Sequence, residues 1–129
     1  MRSFLFLGVG AAAFLVLSGP AFAEGDATKG KAAYAKCAIC HQVGASAQNT
    51  VGPELNKIVG RKAASVAGFA YSPGMKKLGE EGFVWNEENI DKWIAEPKKM
   101  LPDSPMAQLF VGIADAQERA DIIAYLKTL

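Results

Sequence analysis

Two thiols and one imidazole fall within five consecutive residues, Cys37-Ala38-Ile39-Cys40-His41, and they are the only cysteines and the only histidine of the 129-residue chain. On one helical turn, positions i and i+3 lie on the same face. Two sulfurs so placed can each form a thioether with one vinyl group of a single porphyrin, and Cys-x-x-Cys-His is the attachment signature of covalent haem. The histidine that follows then sits under the ring, where its imidazole can bind iron. Other chemistries suit the pattern less well. A thioredoxin-like dithiol calls for a βαβ context that the flanking sequence lacks. A zinc site wants about four ligands, more than two Cys and one His provide. A plain disulfide leaves His41 without a role.

Haem iron held by one histidine needs a sixth ligand or keeps an open position. A second histidine is absent, so bis-histidine ligation within the chain is excluded. A neutral, soft thioether favours the ferrous state and raises the potential, which suits an electron carrier. Met106 is the first choice. It follows Leu101-Pro102-Asp103-Ser104-Pro105, and two prolines stiffen that segment. Met100 and Met75 read as packing residues and remain the alternatives.

These residues need a scaffold, and the N-terminus shows where it begins. Arg2 is followed by an uncharged, largely apolar run, then by Ser18-Gly19-Pro20 and the small-x-small triplet Ala21-Phe22-Ala23. This predicts a secretory signal peptide over residues 1–23, cleaved after Ala23, with export to the periplasm. An uncleaved anchor is the alternative, since residues 4–23 just reach the minimum span. No cysteine lies near the cleavage site, which excludes lipidation there. The remaining chain, residues 24–129, carries a formal charge of zero once Arg2 is removed from the net +1. Half the chain is hydrophobic and 21% is charged. That balance excludes a polybasic nucleic-acid binder and a disordered acidic tail. One domain fits the length. A chain this small buries only about 65% of its unfolded surface, so a large bound apolar group would help its core.

The expected class is all-α, with about five short helices. Asp26 caps a helix running to about Cys37, with Ala27, Gly30, Ala33, Tyr34 and Cys37 on one face. Residues 42–52 read as a loop, and Pro53 opens a short turn closed by Gly60. Ser72-Pro73 starts a helix that Gly79 ends. Asn86 caps the next, with an Ile90, Trp93 and Ile94 stripe, and Pro97 stops it. Residues 97–114 are expected to be irregular. Asp115 and Glu118 form a capping box for a terminal helix with Ile122, Tyr125, Leu126 and Leu129 as its apolar stripe. No run alternates long enough for a sheet.

From Gly25 to the C-terminus the chain resembles the class I c-type cytochromes, closest to the soluble bacterial carriers related to mitochondrial cytochrome c. The resemblance rests on Gly25-Asp26 with Lys29-Gly30-Lys31, on Cys37 to His41, on Gly52-Pro53-Glu54-Leu55 and on Gly60-Arg61-Lys62. It continues through Gly68-Phe69-Ala70-Tyr71, Trp85, Pro97-Lys98-Lys99-Met100-Leu101-Pro102 and Asp121 to Leu126. It implies one covalent haem c held by Cys37 and Cys40, with His41 and Met106 as axial iron ligands. It implies that the Pro53 carbonyl accepts a hydrogen bond from His41. Arg61, Tyr71 and Trp85 would surround the haem near its propionates, and the terminal helices would cross near Gly30. Two departures stand out. The segment from Met106 to Gly112 is two residues longer than the family's, and Met75 stands where the family has a buried Asn.

The resemblance implies an electron-transfer protein rather than an enzyme. It would pass single electrons from a membrane quinol-oxidising complex or a periplasmic dehydrogenase to a terminal acceptor. Lys36, Lys57, Lys62, Lys76, Lys77, Lys98 and Lys99 are the candidates for a basic ring around the haem edge that steers acidic partners. Glu87, Glu88, Asp91, Glu118 and Asp121 are expected on the far side. The protein is expected to be a monomer, to bind no nucleic acid and to insert in no membrane once the leader is gone. Two rival functions remain: a haem protein that binds or senses a small gas, and a thiol-disulfide oxidoreductase.

Overall fold

A computed structural model describes residues 13–16 and 23–129. The leader reading over residues 1–23 therefore lies almost wholly outside the described residues. The described residues form seven helices in chain order: α1 (Ala27–Ala33), α2 (Ala35–Ala38), α3 (Pro73–Glu80), α4 (Glu87–Ala95), α5 (Pro97–Met100), α6 (Pro105–Leu109) and α7 (Ala116–Leu126). Among the described residues the only β pairing is one isolated bridge, Lys62 with Val84. No described helix is long and apolar enough to cross a membrane.

Helix starts follow from local chemistry. The Asp26 carboxylate accepts the Thr28 and Lys29 N–H groups, and the Asp115 carboxylate accepts those of Gln117 and Glu118. Ser72 and Asn86 cap α3 and α4 in the same way. Each satisfies backbone donors that a helix leaves without internal partners. The expected capping box at α7 is only half made. The Glu118 carboxylate turns away to pair with Lys36, 82 positions earlier in the chain.

The first helix does not run unbroken to Cys37. Its ladder is interrupted at Tyr34, where the Cys37 N–H tightens onto the Tyr34 carbonyl (2.8 Å). Nor does Gly79 end α3. It lies inside the helix, buried against Ala63, where a β-carbon would sit 2.5 Å from the Ala63 carbonyl oxygen. The terminator is Gly82, at φ +82°. The Phe83 N–H reaches the Leu78 carbonyl and the Gly82 N–H reaches that of Gly79, which is a Schellman closure.

Residues 97–114 are irregular only in part. They hold α5 and α6, each with proline at its first position. Proline cannot continue a helix but readily begins one, because the N–H it lacks would have no partner there. Helix α6 carries the chain past Met106 to Leu109. The chain then returns at Gly112 (φ +99°), where a β-carbon would sit 2.1 Å from the Ala95 carbonyl oxygen. The Ile113 N–H donates to the Ile94 carbonyl next to it (2.8 Å).

The core unites Tyr34, Trp85, Ile90, Trp93, Ile94, Ile122, Ile123 and Leu126, with Cys37, Met75, Met100 and Met106 half-buried against it. Helices α1 and α7 make the most extensive helix–helix packing, with α4 against α7 next. A β-carbon on Gly30 would lie 1.8 Å from the Asp121 carbonyl oxygen, and one on Gly25 2.0 Å from that of Ala120. The terminal helices therefore cross backbone to backbone at Gly30, and the segment leading into α1 meets α7 as closely at Gly25.

Candidate functional site

The Cys37–His41 segment starts in α2 and leaves it through one tight turn. The Cys40 and His41 N–H groups both reach the Cys37 carbonyl, at 3.0 and 2.9 Å. That shared acceptor keeps Cys37 and Cys40 one turn apart. Both are half-buried free thiols. Burial, only partly offset by the nearby Lys36 charge, pushes the Cys37 thiol up to about 11. Cys37 is thus a neutral thiol at neutral pH.

His41 is gripped through its ring. Its Nδ1 lies 2.7 Å from the Pro53 carbonyl oxygen. A carbonyl only accepts, so Nδ1 carries the proton and Nε2 keeps its lone pair. Nε2 makes no hydrogen bond among the described residues. Burial holds the imidazole below its ordinary pKa, with the Pro53 bond opposing that shift. Gly52 lies against the ring, where a β-carbon would sit 2.4 Å from Cε1. Its N–H donates to the Cys40 carbonyl (2.8 Å), so the 50–53 loop is stitched to the cysteine turn.

This donor set fits a covalent haem. Two unbridged thiols stand one turn apart, and an imidazole beside them is locked in the tautomer that leaves Nε2 available. The glycine cradle lets the loop close on that ring. Cys37 and Cys40 would hold the group, and His41 would bind its iron.

The three methionines are not separated by burial. Met75, Met100 and Met106 are all half-buried against the core. Met106 differs in its setting. It occupies the first turn of α6, behind Pro105 and the buried Ser104. The preceding turn is braced twice: Gln108 Nε2 donates to the Pro102 carbonyl (2.8 Å), and Asp103 Oδ2 accepts the Gly74 N–H (3.0 Å).

The bridge region brings the Trp85 backbone beside that of Arg61. The Trp85 N–H donates to the Arg61 carbonyl (2.8 Å). The Arg61 guanidinium bonds the Glu54 carbonyl (2.8 Å), the Glu54 carboxylate (3.0 Å) and the Asn56 carbonyl. It thereby closes the loop that follows Pro53, an engagement the sequence did not announce. The Tyr71 hydroxyl accepts the Val66 N–H (3.1 Å) and keeps its own proton to donate. Trp85 is buried, and its indole N–H has no partner among the described residues. Tyr34, read from the sequence as one more residue of the α1 face, proves to be bonded to His41 through its hydroxyl. The signal was available, since a buried phenol has to find an acceptor.

All seven candidate lysines are exposed. Lys36 pairs with Glu118 and Lys99 with Glu96, whereas Lys57, Lys62, Lys76, Lys77 and Lys98 form no ion pair among the described residues. Elsewhere, Lys92–Glu88 (2.6 Å), Arg119–Asp91 (2.7 Å) and Lys127–Glu87 (3.2 Å) hold acids in pairs, and Glu118, expected on the far side, instead meets Lys36. Asp121 is no surface acid. It is buried and accepts the Asp26 N–H (2.8 Å) and Gln117 Nε2 (2.9 Å).

The family model for cytochrome c matches residues 27–129. Cytochrome c2 of Rhodomicrobium vannielii is 44% identical over 128 residues, covering 99% of this chain and 97% of its own. Cytochrome c-554 of Methylosinus trichosporium is 41% identical over 127 residues, covering 98% and 92%. Among solved structures, cytochrome cH from Methylobacterium extorquens superposes with a TM-score of 0.72 at 42% identity, covering 81% of this chain and all of that one.

Proposed function

The chain belongs to the cytochrome c family, and we propose that it works as a periplasmic one-electron carrier with a single haem c ligated by His41 and Met106. Bound through Cys37 and Cys40, the haem would supply a ferric/ferrous couple. The observation that carries the reading is the His41–Pro53 bond beside the cysteine turn: it fixes the tautomer, the ring and the attachment points together. Such preorganisation keeps the surroundings from rearranging as charge changes. The half-buried core residues around Cys37 and Met106 exclude water, which serves the same end. Tyr71 and Trp85 each have a donor hydrogen left over and would turn it to the propionates. Arg61, already tied to Glu54, would add its positive charge nearby.

Redox proteins would dock where exposed lysines ring the haem edge. Lys57, Lys62, Lys76, Lys77 and Lys98 are the stronger members, being free of ion pairs among the described residues. A quinol-oxidising membrane complex or a periplasmic dehydrogenase would be the donor, and a terminal acceptor would take the electron. Residues 1–23 would be the export leader and residues 24–129 the working domain, a monomer.

Optical spectroscopy with partner kinetics is the test. The ferric protein should show the weak far-red band of sulfur on iron, and the ferrous form should not respond to carbon monoxide. Transfer to an acidic partner should slow as ionic strength rises. Carbon monoxide binding by the ferrous form would point to a gas-binding protein instead.

A further inference from the structure

The Tyr34 hydroxyl donates a 2.8 Å hydrogen bond to the His41 backbone carbonyl. Tyr34 is buried, and its ring meets Tyr125 of α7 edge to face, with centroids 5.4 Å apart. Its backbone is engaged too. Its N–H reaches the Gly30 carbonyl, and its own carbonyl accepts the Cys37 and Ala38 N–H groups. One residue therefore brackets the attachment segment, opening the turn at Cys37 and closing on its far end at His41.

We propose that the Tyr34 hydroxyl is a positioning residue for His41, pinning its carbonyl to the end of the first helix and thereby setting the orientation of the imidazole. This rests on His41 being an iron ligand, as proposed above. His41 is held at three polar atoms: its N–H by Cys37, its ring Nδ1 by Pro53 and its carbonyl by Tyr34. The first contact is local and leaves the plane of the following peptide free to tilt. The second fixes the ring at one atom. The third comes from a different element and fixes the backbone from which the ring projects. A phenylalanine would fill the same volume without paying the desolvation of a hydroxyl, so the oxygen has value here only through its bond.

The test compares the haem-loaded wild type with Tyr34→Phe and Tyr125→Leu. The first variant removes the bond and keeps the ring. The second weakens the same helix interface and keeps the bond. Tyr34→Phe should retain haem yet alter the pattern of the shifted haem-methyl resonances of the ferric form, which reports the imidazole plane. Its ferric/ferrous ratio against a fixed redox buffer should move about threefold, the scale of one hydrogen bond. Tyr125→Leu should lose stability and leave both readouts at wild-type values. Wild-type resonances and ratio in Tyr34→Phe, or equal changes in Tyr125→Leu, would overturn the proposal. Failure of the underlying haem reading would appear in the wild type itself, as absent haem.

Discussion

Gly30 and Asp121 touch through their backbones: a β-carbon on Gly30 would lie 1.8 Å from the Asp121 carbonyl oxygen and 2.4 Å from its carbonyl carbon. Backbone cannot yield as a flexible side chain would. The terminal helices therefore cross at a distance that only glycine permits, and that crossing supports the turn bearing the two thiols.

Gly30→Ala sets two effects against each other. Alanine favours the helix by about 1 kcal/mol over glycine. Overpacking a close contact costs about 1–3 kcal/mol, and more where backbone must move. The clash wins, so thermal unfolding should show a clear net loss of stability. An unchanged or raised melting temperature would mean that the helices do not cross this closely.

Asp121 gives the fold an acid limit. Its bonds from the Asp26 N–H and Gln117 hold its carboxyl below the ordinary 3.8, outweighing burial. A depressed carboxyl contributes stability that is full above the unfolded pKa and is lost as pH falls through the folded one. Asp121→Asn should thus melt lower than wild type at neutral pH, with the gap closing as pH falls below 3.8. Melting curves across pH check this, and a gap that widens in acid would refute it.

Gly52→Ala strikes the imidazole directly. The added carbon would lie 2.4 Å from His41 Cε1 and 2.6 Å from Nδ1. Either the ring leaves Pro53 or the loop leaves the ring. The expected result is a lower yield of haem-loaded protein and an altered potential. Wild-type yield and potential would show that the ring is not held against the loop.

Met106→Ala should abolish the sulfur-to-iron band and lower the potential by on the order of 0.1 V, since axial ligands set it strongly. Met75→Ala and Met100→Ala should keep the band. Optical and potentiometric titration of the three variants would expose a wrong assignment at once.

What was legible in the sequence was whatever depends on near neighbours. Asp26, Ser72, Asn86 and Asp115 cap as read because each side chain bonds a backbone group two or three residues on. The Ile90, Trp93 and Ile94 stripe is buried as its spacing implies. Pro97 ends α4 as read, but it and Pro105 also each begin a short helix where irregular chain was expected. Glu118 misled because its partner is 82 residues away. Gly79 and Gly82 look alike in sequence, and only the packing on Ala63 and the sign of φ tell them apart. At the site, the spacing of Cys37, Cys40 and His41 announced the chemistry. The grip on His41 by Tyr34, and that of Arg61 on Glu54, depend on where the chain folds back and carry no local pattern.

Mass spectrometry of the purified, denatured protein from a host able to attach haem tests the central claim most directly. The expected chain is one haem heavier than its polypeptide, with neither Cys37 nor Cys40 open to a thiol reagent. A polypeptide of bare mass with two reactive thiols would contradict it.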